Sequence, residues 1–87
     1  MSNRNQIWQS IELELRSSKK KHPNWPDHPA AQAGIVCEEA GELMKACLQW
    51  KYERNGTELV QEVQKDRMWE EAIQTAAMAI RFLENLK

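Results

Sequence analysis

Apolar positions return at helical spacing along three stretches of the chain. In the first, Ile7, Trp8, Ile11, Leu13 and Leu15 predict a helix from about Asn5 to Lys20, with a stripe wide enough to pack on two neighbours. It stops at "KKHPNWPDHP", where two prolines and an asparagine make Pro23 to His28 a loop. Pro29 suits the first turn of the next helix and pushes His28 out of helical geometry.

From Pro29 to Tyr52 no further proline occurs and Ala, Leu, Glu, Met and Lys dominate, which predicts a long second helix. "RNGT" closes it: Asn55-Gly56 is a turn signal and Thr57 an N-cap for the next segment. Glu58 to Leu86 then reads as helix, with Leu59, Val63, Trp69, Ile73, Ala76, Ile80 and Leu83 near one face. The polar cluster "QKDR", Gln64 to Arg67, interrupts that pattern and allows a break. The expectation is an all-α chain, a single domain over residues 1–87, folded as an antiparallel helical bundle of three to four helices.

Composition supports a helical globular protein: 41 % hydrophobic, 29 % charged, with three Gly and three Pro in 87 residues. A chain this short buries only about 60 % of the surface exposed when unfolded, so a lone monomer is expected to be marginal. Twelve basic and thirteen acidic residues leave a net charge of −1, which gives nucleic acid or an anionic membrane no general attraction. Lys19 to Lys21, with Arg16, is the one basic cluster, and it is read as a solvated helix end that complements the dipole. No long apolar segment marks a signal or membrane span, so a cytoplasmic protein is expected. Cys37 and Cys47 lie about 15 Å apart along one helix, too far for a mutual disulfide, and are expected as buried thiols. With His22 and His28 they make no zinc pattern.

The stretch "VCEEAGELMKACLQW" carries the candidate chemistry. On a helix Glu38, Glu42 and Glu39 fall at about 0°, 40° and 100°, so three carboxylates share one side. Val36, Ala40, Leu43, Met44 and Cys47 cluster opposite, as in an ordinary amphipathic helix. Two details favour a cation site over a solvated face. Glu38 and Glu42 repel at i,i+4 with no Lys or Arg three or four residues after Glu38, and Ile35, Ala46 and Trp50 edge the acidic side, so another helix can cover part of it. In the last helix the polar arc is narrow: Arg67, Glu70, Gln74, Arg81 and Asn85. Glu71 stands at its margin beside Thr75, Met78 and Phe82, and a half-buried carboxylate needs a cation, a donor or a shifted pKa. Packed antiparallel, that helix would set Glu71 and Gln74 against Glu38, Glu39 and Glu42, oxygen ligands that suit Mg²⁺ or Mn²⁺.

The pattern Glu38-Glu39-x-x-Glu42 followed by Glu71-x-x-Gln74 resembles the MazG-like all-α nucleoside triphosphate pyrophosphohydrolases, whose signature is EExxE and then ExxD. "HPAAQAGIVCEEAGELMKA" and "EEAIQTAAMAIRFLENL" resemble the short phage and mobile-element type, so the likeness covers His28 to Leu86. It implies a dimer or dimer of dimers, with metal held by Glu38, Glu39, Glu42 and Glu71 and with Gln74 where the family has Asp. An amide oxygen can ligate Mg²⁺ but brings no charge.

The implied reaction is hydrolysis of a nucleoside or deoxynucleoside triphosphate to monophosphate and pyrophosphate, a house-cleaning activity on the nucleotide pool. Glu39, furthest round the face from Glu38, is the candidate general base. Lys45, Lys51 and Arg54 are candidates to hold phosphates, although solvation is the commoner fate of such side chains. Trp25, Trp50 and Trp69 are candidates to stack on a base, with Trp25 favoured for its Pro-rich loop; core or interface packing is the better reading of Trp50 and Trp69, and Trp8 is read as core. The alternative from another class is a non-catalytic helical dimer that binds nucleotide or a partner, for which Gln74 speaks. A nucleic-acid-binding regulator would need strongly salt-dependent binding that the net charge disfavours. The phosphoribosyl-ATP pyrophosphohydrolase type fits the motif surroundings less well.

Overall fold

The computed structural model describes residues 3–53 and 58–86, and these contain three α-helices and no strand. Helix α1 is Arg4–Lys21, α2 is Pro29–Tyr52 and α3 is Glu58–Asn85. Local chemistry sets the starts of α1 and α2. The Asn3 side chain accepts from the Gln6 N–H at 2.8 Å while the Asn3 N–H donates to Gln6 Oε1 at 3.0 Å, a reciprocal capping box. At α2, Pro29 occupies the first turn and His28 Nδ1 accepts from the Ala30 N–H at 3.0 Å. The three lysines fill the last turn of α1, where they complement its dipole. Arg54, the Asn55-Gly56 turn and the Thr57 cap lie outside the described residues.

Helix α3 is unbroken through Gln64 to Arg67, so the break that the polar cluster allowed does not occur. Lys65, Asp66 and Arg67 are exposed, and a helix whose polar turn faces water has no reason to stop there.

Packing makes α3 the spine. Both α1 and α2 pack on it, and among the described residues they do not pack on each other. Their directions follow from side-chain contacts. Lys65 Nζ sits 5.4 Å from the Trp50 ring near one end of the α2 and α3 pair, and Arg81 lies over Trp25, just before α2, at the other, so α2 is antiparallel to α3. Ser18 donates its hydroxyl to Met78 Sδ at 3.6 Å and Lys19 pairs with Glu84 at 2.9 Å, while Ile11 and Leu15 join Ile73 lower down, so α1 runs parallel to α3.

The core is thin. Ile11 and Leu15 of α1 meet Ile73, Ala77 and Met78 of α3, and Ile7, Ile35, Val36, Trp69 and Ile80 pack around them half-buried. Among the described residues no large side chain is completely enclosed. Three sequence expectations are corrected here. The α1 stripe meets one neighbour, not two, so Trp8 is 53 % exposed and Leu13 also faces out. On α2 the packed face is centred nearer Glu39 than the apolar cluster, because Gln32, Ile35, Glu39 and Ala46 share the side that meets α3; Ala40 and Met44 are exposed. Neither cysteine is a buried thiol: Cys37 is exposed, Cys47 is half-buried and both are free. No helix among the described residues is long and apolar enough to cross a membrane.

Candidate functional site

Because α1 and α2 rest side by side on α3 without their backbones closing on each other, a groove of about 500 Å³ runs between them. The α1–α2 loop closes it through Asn24, Trp25 and Pro26. Gln74 and Arg81 of α3 both line it, and seven residues of helix separate them by about 10 Å along its axis. The parallel run of α1 puts Glu14 near the Gln74 level and Lys21 and His22 near the Arg81 level. On antiparallel α2, Glu38 and Glu39 stand further from the loop than Ile35. The groove is therefore acidic toward one end and basic, with an indole, toward the other.

Glu39 is the centre of the acidic end. Burial pushes its carboxyl above the ordinary value of 4.5, and the charges of Glu71, Glu14, Glu42 and Glu38 push it the same way. Helix geometry brings these groups together. Glu38 and Glu42 flank Glu39 on α2, Glu71 reaches it from α3, and Glu14 from α1. Glu42 and Glu71 act on Glu39 without lining the groove. Glu71 is half-buried, and its Oε2 is shielded from water with no hydrogen-bond partner. Among the described residues none of these five carboxylates forms an ion pair with Lys or Arg.

This donor set fits a hard divalent cation in its chemistry. Carboxylate oxygens surround Glu39, one oxygen of Glu71 is buried with nothing to bind, and Gln74 adds an amide within the same groove. Among the described residues, however, no three His, Cys, Asp or Glu side chains already converge as metal ligands do. The carboxylates are within electrostatic reach, and gathering them on a cation requires rotamer changes of long Glu side chains.

A cation should therefore stabilise the fold, with a definite pH dependence. Glu39 has a raised folded-state pKa, so its contribution to stability is present below about pH 4.5 and is lost as pH rises through the raised value. At neutral pH the cluster is under repulsion that a bound divalent cation would relieve. Saturating Mg²⁺ is expected to raise Tm by about 4 °C or more at neutral pH. The increment should shrink toward zero as the carboxylates protonate in acid. Differential scanning fluorimetry across pH checks both signs.

The other sequence candidates separate. Trp25 lines the groove. Lys45 and Lys51 are exposed and do not line it; Lys45 is directed away from the α3 side, and Lys51 Nζ lies over the neighbouring Tyr52 ring at 5.1 Å. Arg54 lies outside the described residues. Trp50 is half-buried near Lys65, and Trp69 packs against the core, as packing residues do.

Two groove residues escaped the sequence reading. Glu14 sits between Leu13 and Leu15 on α1, one helical turn from Ile11 and from Ser18, an edge position that would have placed it beside the core. Arg81 was assigned to a polar arc, yet it is 4 % exposed. Its signal was present: Ala77 and Met78 precede it by four and three residues, so its base shares their buried face. Comparison with family models, with curated proteins and with solved structures returned no match.

Proposed function

We propose that the chain is a Mg²⁺-dependent nucleoside triphosphate pyrophosphohydrolase, as its resemblance to MazG-like proteins implies. The observation that carries this reading is that four carboxylates from all three helices lie within electrostatic reach of Glu39, and that among the described residues none of the five is ion-paired with Lys or Arg. A structural role would not gather so much like charge beside a groove. A bound Mg²⁺, or Mn²⁺ in its place, would neutralise phosphate charge and polarise the phosphoryl group. Glu38, Glu39, Glu42 and Glu71 are the residues to hold it, with Gln74 contributing an amide oxygen, and Glu14 joins them as a carboxylate facing the same space.

The chain's own residues supply binding and proton transfer. Glu39, with its raised affinity for protons, is the general base: it takes a proton from the water that attacks the α-phosphorus. The bond between the α- and β-phosphates then breaks, giving monophosphate and pyrophosphate. Trp25 offers an indole at the loop end of the groove, about two helical turns along α1 from Glu14, for a base to lie against.

A second copy of the chain is the partner that completes the fold. Ala33, Val36 and Cys37 of α2 form an apolar cleft with Ala79, Phe82 and Leu83 of α3, and Met44 and Leu48 extend the exposed apolar face along α2. A thin core with an uncovered apolar face on two helices suits a dimer, in which each copy covers the other's apolar face. Pairs of such dimers would make the tetramer the family resemblance also admits.

Pyrophosphate release from a panel of canonical and modified NTPs and dNTPs tests the activity. Turnover is expected with Mg²⁺ or Mn²⁺ and to be lost with EDTA. Saturable nucleotide binding by the folded protein without any turnover would favour the non-catalytic binding module, and Gln74, which adds no charge to the groove, would be the residue responsible.

A further inference from the structure

We propose that Arg81 is a positioning residue that fixes Trp25 as the closing wall of the groove, and so holds in place the surface a base would lie against. This rests on the nucleotide reading for what the wall meets, but its structural basis is separate. Arg81 Nη1 donates to Ser18 Oγ at 3.1 Å, Nη2 donates to the His22 carbonyl at 2.7 Å, and the guanidinium lies 4.6 Å from the centre of the Trp25 ring. One planar cation from α3 thus holds the end of α1, the chain leaving it and the face of the indole.

The far side of the loop has its own anchor. Gln32 of α2, 4 % exposed, donates Nε2 to the Pro26 carbonyl at 2.7 Å. Trp25 is therefore held between two side chains from different helices, and since the α1 and α2 backbones do not approach closely, these side chains are what fixes the loop. Arg81 forms no ion pair with a carboxylate among the described residues. A buried cation without a counter-charge is a poor choice for stability alone, where an apolar side chain would pack at less cost. Its contacts all converge on the groove wall. The Trp25 indole N–H is itself buried without an acceptor, so the wall carries an unmet donor.

Lysine keeps the charge but cannot make both hydrogen bonds and stack. In Arg81→Lys, the Trp25 indole signal in the ¹H–¹⁵N spectrum, assigned through Trp25→Phe, should shift and broaden while the other three indoles stay in place. KM for the best nucleotide from the release panel should rise about tenfold, with kcat within about twofold, because binding is lost and the reacting end is untouched. Trp25→Ala should raise KM as well, and adding Arg81→Lys to it should raise KM no further. An unmoved Trp25 signal, multiplying KM effects, or a fall in kcat at constant KM would each overturn the proposal. If the wild type hydrolyses no nucleotide, the proposed activity fails, and the Trp25 signal alone then decides the positioning role. If Arg81→Lys does not fold, Gln32→Leu, which releases the other anchor, takes its place in the same measurements.

Discussion

Glu39→Gln is expected to lower metal-dependent pyrophosphate release by at least about 100-fold in kcat, the usual scale for losing a general base. The same substitution should make the metal-free protein more stable at neutral pH. Gln preserves shape and removes the one charge that burial and four neighbouring carboxylates disfavour. Activity and stability thus move in opposite directions, which separates loss of chemistry from loss of fold. The Mg²⁺-induced rise in Tm should shrink in the same variant. Release assays beside thermal melts, with and without Mg²⁺, check all three. A variant that retains full turnover would remove Glu39 from the chemistry.

Leu83→Glu should convert the proposed dimer to a folded monomer. Leu83 is 65 % exposed in the single chain, so the substitution has little to disturb within it. In the proposed dimer the same position lies in the apolar cleft with Val36, Cys37 and Phe82, where an unpaired carboxylate would be desolvated. Met44→Glu, at 60 % exposure further along α2, probes the same face by a second route. Light scattering after size exclusion should show the mass halved for Leu83→Glu, with the helical circular dichroism retained. A wild type that runs as a monomer, or a variant that stays dimeric, would place the subunit contact elsewhere or remove it.

Helix positions were legible in the sequence because their signals are local: Asn3 and Gln6 at one start, Pro29 at another, and the Pro-rich segment between them. The acidic side of α2 could also be read from spacing alone, and Ile35, Ala46 and Trp50 at its edge correctly marked it as partly covered. What could not be read was which helix covers which face. A period of 3.6 says that a stripe exists, but its width does not say whether one neighbour or two will meet it, and so Trp8 and Leu13 were assigned to packing they do not make. Glu14 and Arg81 were missed for a related reason. Each lies at the border between an apolar stripe and a polar arc, where only the position of another helix decides between burial and solvent.

That the α1 backbone lies close to α3 alone among the described helices also bears on how the protein opens. Its attachment runs through Ile11, Leu15 and Ser18 and the end contacts of Lys19 and His22, whereas α2 and α3 share a longer seam. Hydrogen exchange is therefore expected to divide the chain into two units, an α2–α3 hairpin and an α1 arm whose amides exchange through a smaller opening. Glu14 and Ser18 ride on the arm, while Glu39, Glu71 and Arg81 belong to the hairpin. A ligand spanning the groove would fasten the arm to the hairpin, so part of its binding energy would be spent on suppressing local unfolding.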